Sequence, residues 1–400
     1  MNSYYFILGR ENKISQKELE SVLASFDFGF NADFNSILSE HVLEIKLDQP
    51  VEKVANLINI LGGTVKIFKK VAPKEAKIEE LLLAENFDKK RLFGISNYSS
   101  NELDTFKLAL SAKKKIKKSL RIIAGKEGDQ LSSAQSFQYK MDLDNIEYGR
   151  FDSGWGKLIA VQNLDLWTKH DYGKPRSDAV SGMLPPKLAR MMVNMAIESS
   201  AHKPLVVDPF CGSGNVLIEA LAVGCNVIGS DISEKAVDDT RVNLEWAIKN
   251  VIPTEMEGSA SEQDFLAYFQ NDNINVSKQD ATKIDFGKIE KSFVVVTEPY
   301  LGKPRNSKLR IEEEKEVKED AKKLYLDFFQ NLHNTNSKFL AACIVFPLFE
   351  LANGKRLSIF EECVDFIKEL GYTTICSPLI YGRDYQVVKR EIIILKKNGT

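Results

Sequence analysis

The 400-residue sequence predicts an α/β fold with a parallel sheet, preceded by a smaller α+β region. Residues 205–220 contain a short apolar strand that ends at Asp208, a turn with Gly212 and Gly214, and then an amphipathic helix. A second apolar strand follows and ends at Asp231. Strands that alternate with helices form parallel sheets, and such sheets bind ligands beyond the carboxyl ends of their strands.

Length and composition favour a two-domain globular protein. The chain is 44% hydrophobic and 28% charged, with a formal net charge of −2. The longest apolar run, Phe339 to Phe349, contains Pro347 and is too short to span a membrane. The N-terminus lacks a leader-like segment, which predicts a cytoplasmic protein. Five cysteines without paired spacing and four scattered histidines favour a reduced protein with no metal.

The glycine turn is the strongest candidate for a ligand site. A Gly-x-Gly pattern by itself is common in structural turns. Asp208, placed just before the glycines, would repel the pyrophosphate of a dinucleotide and disfavours a nicotinamide oxidoreductase. A cationic ligand fits better. Asp231, at the tip of the second strand, is placed to accept the hydroxyls of a ribose.

A second candidate site follows the predicted fourth strand, Phe293 to Val296. There Thr297-Glu298-Pro299-Tyr300 leaves the carboxyl end of the strand. A side-chain oxygen in this loop can accept N–H bonds of an amine and aim its lone pair, while Tyr300 can stack on a base. Both Thr297 and Glu298 remain candidates for that oxygen. The third strand, Ile274 to Ser277, comes after a predicted polar insertion at 253–273 and precedes Asp280.

Asp208-Pro209-Phe210-Cys211-Gly212-Ser213-Gly214 resembles the first motif of class I (Rossmann-like) S-adenosylmethionine-dependent methyltransferases, in the form typical of RNA and DNA amino-methylating enzymes. The resemblance implies a seven-stranded sheet, with S-adenosyl-L-methionine as cofactor. It also implies catalytic roles for Thr297 to Tyr300, although one proline of the family's Pro-Pro-aromatic pattern is missing. The cofactor would be held by Asp208, Phe210, Gly212, Gly214, Asp231, Ile232, Asp280 and Ala281.

The start of the chain is similar to a narrower group. Phe6-Ile7-Leu8-Gly9-Arg10, followed by Ser15-Gln16-Lys17-Glu18-Leu19-Glu20, resembles tRNA guanosine-N2 methyltransferases that carry a THUMP RNA-binding domain. Ser15 and Glu18 also predict a capping box at a helix start. Gly182 to Arg190 resembles the helix that precedes the first catalytic strand in that group. The resemblance implies methylation of guanine N2 in tRNA. A DNA amino-methyltransferase and an RNA-binding protein with a silent pocket remain as alternatives.

The same resemblance divides the chain into three parts. Residues 1–165 are expected to form an α+β region with a THUMP-like RNA-binding domain, and 166–181 an interdomain linker. Residues 182–400 are expected to form the methyltransferase domain.

A basic run at 113–121 is predicted to continue a helix whose apolar face contains Ile116, Leu120 and Ile123. Its outer face would carry Lys113, Lys114, Lys117 and Lys118 and could follow a phosphate backbone. A solvated surface helix is the alternative interpretation.

Overall fold

The computed structural model describes residues 1–25, 33–85, 89–116, 119–126, 128–176, 183–198, 203–252, 274–305, 307–335 and 338–398. The polar insertion predicted at 253–273 therefore lies outside the described residues. Two compact units divide between Asp165 and Leu166. In the described ranges, no helix has the length and apolar character needed to cross a membrane.

The first unit is built on one sheet of eight strands. Its elements are β1 (Asn2–Leu8), α1 (Asn12–Ala24), β2 (Asp33–Ser39), β3 (Val42–Leu47), α2 (Val51–Ile60), β4 (Thr64–Ala72), α3 (Ile78–Leu83), β5 (Arg91–Asn97), α4 (Thr105–Ile116), β6 (Leu120–Ile123), α5 (Ser133–Gln138), β7 (Ile146–Phe151) and β8 (Gly154–Val161). The strand order is β2-β3-β1-β4-β8-β7-β5-β6. Antiparallel pairing of β4 with β8 joins the first four strands to the last four in one continuous sheet.

A buried ion pair lies under this sheet. Lys66 on β4 donates to Glu147 on β7 at 2.7 Å, and both side chains are at most 1% exposed. The hydroxyls of Ser96 and Ser136 also donate to Glu147, at 2.6 and 2.5 Å. Buried charges need such additional hydrogen bonds to offset their desolvation. The network therefore ties β4, β5 and β7 together.

The capping box predicted at Ser15 is wrong. Helix α1 begins at Asn12, so Ser15 lies inside the first turn, where its buried hydroxyl donates to the carbonyl of Glu11 at 2.8 Å. Glu18 is also buried, and its carboxylate accepts the backbone N–H groups of Gly62 and Gly63 at 2.7 and 2.8 Å. The acidic side chain thus anchors α1 to the turn before β4 instead of capping its own helix.

The predicted basic helix is also shorter than expected. α4 ends at Ile116, and Leu120 begins the strand β6, which pairs with β5 in parallel. Leu120 and Ile123 therefore contribute to a sheet and not to the apolar face of a helix. The Leu-Arg-Ile-Ile sequence of β6 is rich in residues that suit strands, and this outweighs the helical spacing.

The second unit contains a sheet with parallel and antiparallel strands. Its elements are α6 (Leu164–Tyr172), which starts at the unit boundary, α7 (Pro186–Ile197), β9 (Leu205–Asp208), α8 (Asn215–Ala222), β10 (Val227–Asp231), α9 (Glu234–Asn250), β11 (Ile274–Lys278), β12 (Phe293–Thr297), α10 (Ile311–Thr335), β13 (Phe339–Glu350), β14 (Arg356–Ser358), α11 (Ile359–Glu369), β15 (Tyr372–Thr374), β16 (Leu379–Tyr381) and β17 (Val388–Lys397). The main path is β11-β10-β9-β12-β13-β17-β15, and β14 and β16 pair with β13 and β17. The predicted α/β fold class is confirmed.

The sheet differs from the expected seven strands because it contains nine in the described residues. Seven lie on one path, and the two three-residue strands β14 and β16 are additional. Two short strands, β15 and β16, both pair with β17.

β17 runs antiparallel to β13, whereas β9, β10, β11, β12 and β13 are mutually parallel. The first residues of β17 therefore reach the edge where the parallel strands end. This edge is the usual ligand-binding edge of an α/β sheet.

The stretch 166–181, predicted as an interdomain linker, begins within a helix. Through Tyr172 it belongs to α6, and Leu166, Trp167 and His170 are buried. These side chains have a core to pack against, which is why the segment is helical. Residues 177–181 of the predicted linker lie outside the described part of the chain.

Candidate functional site

The glycine turn between β9 and α8 adopts left-handed backbone conformations. Gly212 has φ of +53° and Gly214 has φ of +89°. A Cβ atom on Gly212 would meet no atom within 4 Å, whereas one on Gly214 would lie 3.1 Å from Thr240 Cγ2. Gly214 thus permits close packing against α9. Gly212 instead leaves open space beside the backbone, which is what a bound ligand requires.

Asp231 lies at the end of β10 and contacts this turn directly. Its Oδ2 accepts the backbone N–H of Gly212 at 3.0 Å, and its Oδ1 accepts that of Ser233 at 2.9 Å. The next residue, Ile232, is 70% exposed. A carboxylate and an exposed apolar side chain therefore lie side by side just beyond the sheet.

Asp280 follows β11, the next strand of the same edge. Its Oδ1 accepts the backbone N–H and the hydroxyl of Thr282, at 3.0 and 2.7 Å, and Lys283 lies 3.0 Å from its Oδ2. Hydrogen bonds from Thr282, followed by the contact with Lys283, hold the pKa of this carboxyl below its ordinary value. Ala281 is buried at the start of a short 3₁₀ turn. The predicted cofactor residues are thus placed at the ends of β9, β10 and β11.

Asp208, the last residue of β9, is buried. One oxygen, Oδ1, accepts the hydroxyl of Thr297 at 2.5 Å and the backbone N–H of Phe210 at 3.1 Å. Burial raises the pKa of Asp208 to about 7, and the nearby carboxylates of Asp231 and Glu298 act in the same direction. A cation bound beside these acidic groups would stabilise the charged form of Asp208.

The four residues predicted as catalytic differ in how far they are buried. Thr297 is fully buried and donates to Asp208. The side chain of Glu298 is 14% exposed, Pro299 is buried, and Tyr300 is 59% exposed. The two candidate acceptors therefore have distinct environments, because Thr297 lies within the protein and Glu298 lies at its boundary.

Sequence reasoning did not find the partner of Glu298, which is Arg390 on β17. Arg390 Nε donates to Glu298 Oε1 at 2.5 Å, and its Nη2 lies 3.3 Å from Oε2. Burial raises the pKa of Glu298, and Arg390 opposes this effect. The sequence gives one indication of a site here, since the charged residues Lys389, Arg390 and Glu391 precede the apolar part of the strand. They become informative only when the pairing of β17 with β13 brings the start of β17 close to the loop after β12.

Contacts of the same arginine extend to the glycine turn. Arg390 Nη2 is 3.5 Å from the carbonyl of Met183, and the sulfur of Met183 accepts the hydroxyl of Ser213 at 3.4 Å. The Gly182 to Arg190 segment contains none of the predicted site residues, yet Met183 connects the two loops. Met183 and Arg390 thus link the glycine turn to Glu298.

A buried cluster supports the helix that follows the glycine turn. Glu219 on α8 lies 2.5 Å from His170 Nδ1 and 2.7 Å from Arg190 Nη2. Burial would raise the pKa of Glu219, but His170 and Arg190 together hold it below its ordinary value. Asn243 on α9 donates to the carbonyl of Ser213 at 2.8 Å. These interactions fix the position of α8 relative to its neighbours.

The lysines predicted to bind RNA lie on the first unit. Lys113 is half-buried and Lys114 is exposed in the last turn of α4, whereas Lys117 and Lys118 lie outside the described residues. Lys115 forms an ion pair with Glu79 at 2.6 Å. In the described ranges, no group of three or more His, Cys, Asp or Glu residues is arranged to hold a metal ion.

Comparison with protein families gives two matches. The family described as UPF0020, an RMKL-like methyltransferase domain, matches residues 174–348. A family described as DNA methylase matches residues 62–242. The first match contains the glycine turn and the Thr297 to Tyr300 loop.

Two curated relatives are named for the same activity. The tRNA (guanine(10)-N2)-dimethyltransferase of Methanothermobacter thermautotrophicus is 28% identical over 52% of this chain and 53% of its own length. The probable tRNA (guanine(10)-N2)-dimethyltransferase of Methanothermococcus thermolithotrophicus is 30% identical over 32% of this chain and 67% of its own. The chain thus spans about half the length of the first of these relatives.

Among solved structures, a methyltransferase crystallised with S-adenosylhomocysteine is 14% identical, with a TM-score of 0.46 over 100% of this chain and 99% of that one. The curated relatives share more sequence, and their matches accompany the methyltransferase-domain match. On that basis, the chain belongs to the family of the tRNA (guanine(10)-N2)-dimethyltransferases.

Proposed function

We propose that this protein is an S-adenosylmethionine-dependent methyltransferase that methylates the exocyclic N2 of guanosine in tRNA. The observation that carries the proposal is the connection between the glycine turn and Glu298 through Ser213, Met183 and Arg390. It supports a single site that combines a ligand-binding turn with an acceptor for amine N–H bonds. The names of the relatives point to guanosine 10 as the target.

The residues of the glycine turn fit the cofactor. The open space beside Gly212 admits a ligand close to the backbone, and Asp208 and Asp231 supply negative charge. The methionine end of S-adenosylmethionine carries a sulfonium and an ammonium, and the cofactor supplies an electrophilic methyl group. Asp231 would bind the ribose, with Ile232 against the adenine and Asp280 near its amino group.

Glu298 is the better candidate for the acceptor of the amine, because its side chain is 14% exposed whereas Thr297 is fully buried against Asp208. A carboxylate that accepts the N–H bonds of N2 draws electron density toward the nitrogen and orients its lone pair. As the nitrogen–carbon bond forms and the carbon–sulfur bond breaks, the nitrogen releases one proton. Glu298, whose pKa is raised by burial, can accept it. Tyr300, exposed beside it, can stack on an extruded base.

One alternative chemistry is disfavoured by the site, and another is compatible with it. A cysteine nucleophile is disfavoured because Cys211 is buried and burial raises the pKa of its thiol. A DNA amino-methyltransferase would use the same loops, and the match to DNA methylases keeps duplex DNA as a substrate to test.

We assign RNA binding to the first unit, with Lys113 and Lys114 contacting phosphates. Replacing both with Glu should weaken tRNA binding and lower the slope of log Kd against log salt by about one for each phosphate that is no longer bound. The control reverses Lys13 and Lys46, two exposed lysines on other elements of the same unit. An equal decrease in affinity in both double variants would show that only net charge matters.

The test of the proposed function is methyl transfer from labelled S-adenosylmethionine to unmodified tRNA, followed by nucleoside digestion and mass spectrometry. We expect N2-methylguanosine or its dimethyl form. Duplex DNA serves as the second substrate, and methylation of DNA alone would transfer the assignment to that class. The absence of product on both nucleic acids, with calorimetry still detecting cofactor binding, would identify a silent pocket.

The cofactor part of the proposal has its own test. Asp231→Ala should abolish cofactor binding in calorimetry while the thermal unfolding transition is retained. Wild-type affinity in this variant would overturn the assignment of Asp231 to the ribose.

A further inference from the structure

The pair formed by Glu298 and Arg390 has the chemistry of a base-recognition site. Both side chains are only 13–14% exposed, so hydrogen bonds made there are shielded from water. Their two contacts, at 2.5 and 3.3 Å, place carboxylate oxygens directly beside guanidinium N–H groups. The pair therefore presents acceptors and donors next to one another at the ligand-binding edge of the sheet.

Both groups have the capacity for further bonds in this arrangement. An ionised carboxylate has about four lone-pair positions, and a guanidinium carries five N–H donors in one plane. The guanidinium that holds Glu298 can therefore also donate to an oxygen placed beside that carboxylate, in exchange for its long 3.5 Å contact with the carbonyl of Met183. Tyr381, the cross-strand neighbour of Arg390, has its ring centroid 6.0 Å from the guanidinium carbon and adds an aromatic wall.

Guanine complements this pattern along its Watson–Crick edge. Its N2 amine and N1–H are donors, and its O6 is an acceptor that follows them directly. Adenine presents an amine donor where guanine has O6, and its N1 accepts where that of guanine donates. A site with carboxylate acceptors beside arginine donors therefore matches guanine and opposes adenine. Enzymes that extrude a base read this same edge.

We infer that Arg390 is a specificity-determining residue that donates to O6 of the target guanine while Glu298 accepts from N1–H and N2–H. This inference rests on the proposed function and deepens it by naming the groups that select the base. Arg390 also holds Glu298 in place, so a purely positional role is the competing explanation. The two roles differ in one measurable quantity, which is discrimination between bases.

The experiment compares three tRNAs prepared by ligation, with guanosine, 2,6-diaminopurine riboside or 2-aminopurine riboside at the target nucleotide. All three keep the N2 amine, but the analogues replace O6 with an amine or with hydrogen and lack N1–H. We expect wild-type kcat/KM to favour guanosine over 2,6-diaminopurine by about 100-fold or more, since a buried donor facing another donor is strongly rejected. The affinity of each tRNA is also measured with S-adenosylhomocysteine bound, which requires no turnover.

Arg390→Gln should lower the guanosine preference at least about tenfold. Arg390→Lys keeps the positive charge but lacks the planar pair of N–H donors, and its preference should be intermediate. The control is Arg383→Gln, an exposed arginine that contacts Tyr385 and has no contact with Glu298 in the described structure. Its preference should equal that of the wild type.

The outcomes distinguish a failure of the specificity role of Arg390 from a failure of the proposed function. Equal wild-type activity on guanosine and 2,6-diaminopurine overturns the role of Arg390 in specificity, whatever the variants do. A slower Arg390→Gln enzyme with an unchanged preference shows that Arg390 only positions Glu298. A wild-type protein without activity on any guanosine-containing tRNA contradicts the proposed function itself, and the inference with it.

Discussion

The loop after β9 and the loop after β12 lie at the same sheet edge but are organised differently. The backbone of the first has a local signature, because Gly212 and Gly214 adopt positive φ and lead directly into α8, although Asp231 and Asn243 also hold it. The second depends on distant residues. Thr297 donates to Asp208, 89 positions away, and Glu298 binds Arg390, 92 positions away.

This difference explains which parts of the site are visible in a sequence. A glycine turn has a local signature, since only glycine adopts left-handed backbone conformations without strain. The direction of an acidic side chain has no such signature when its partner comes from another strand. The comparison predicts that substitutions in the β9 loop mainly affect ligand binding, and those in the β12 loop mainly affect the chemical step.

The largest effect is expected in the β12 loop. Glu298→Gln keeps the shape of the side chain but removes its charge and its capacity to accept a proton. We expect kcat for methyl transfer to fall by about 10²–10³-fold, the range found when one electrostatic contact to the reacting group is removed. Cofactor affinity in calorimetry should stay within about threefold of the wild type.

Glu350→Gln is the matched control for that experiment. Glu350 also lies on the second unit and is ion-paired, with Arg356 at 2.9 Å, but it has no contact with the Glu298 pair in the described structure. Its kcat should be unchanged. A Glu298→Gln enzyme with wild-type kcat would show that Thr297 or a backbone carbonyl is the acceptor.

Substitutions in the β9 loop should weaken binding of the cofactor. Gly212→Ala places a methyl group in the open space beside the turn and forces a left-handed alanine, which costs about 1–2 kcal/mol of stability. We expect cofactor affinity to fall about 10–100-fold, with a smaller change in kcat at saturating cofactor. Calorimetry and steady-state kinetics separate the two quantities.

The chain offers a close control at Gly354, which has φ of +81° and also has no atom within 4 Å of an added Cβ. Gly354→Ala should carry a similar backbone cost without a decrease in cofactor affinity. If the two alanine variants bind the cofactor equally well, the space beside Gly212 is not a ligand site.

Sequence reasoning predicted the α/β class and the glycine turn because apolar runs, glycines and strand-terminal acidic residues are local signals. It failed where tertiary contacts override such signals. Ser15 and Glu18 form a good capping pattern, yet both are buried against other parts of the first unit. The polar 166–176 segment is helical through Tyr172, because Trp167 and His170 on that helix are buried in the protein core. Arg390 was missed because its partner Glu298 lies 92 positions away, on a loop that follows another strand.

The smallest expected effect concerns Asp208, where the two loops meet. Its pKa is raised to about 7, so the carboxyl is neutral below that pH and charged above it. A cationic cofactor favours the charged form, and cofactor affinity should therefore increase as the pH rises from 6 to 8 and then level off. The folding stability of the protein without cofactor depends on pH in the opposite direction. Because the folded state holds this proton more tightly than the unfolded chain, the stability from Asp208 is fully present below pH about 4 and is lost between about 4 and 7.

Thr297→Val tests whether the β12 loop sets this midpoint. The hydroxyl of Thr297 stabilises the charged form of Asp208, so its removal should move the rise in affinity to higher pH by up to about one unit, the equivalent of one hydrogen bond. Calorimetric titrations between pH 6 and 9 measure the shift, with Thr373→Val, an exposed threonine on β15, as the control. An unchanged midpoint would mean that Asp208 titrates independently of the second loop. A shifted midpoint would show that a residue assigned to the methyl acceptor loop also tunes cofactor binding, which would qualify the division of roles between the two loops.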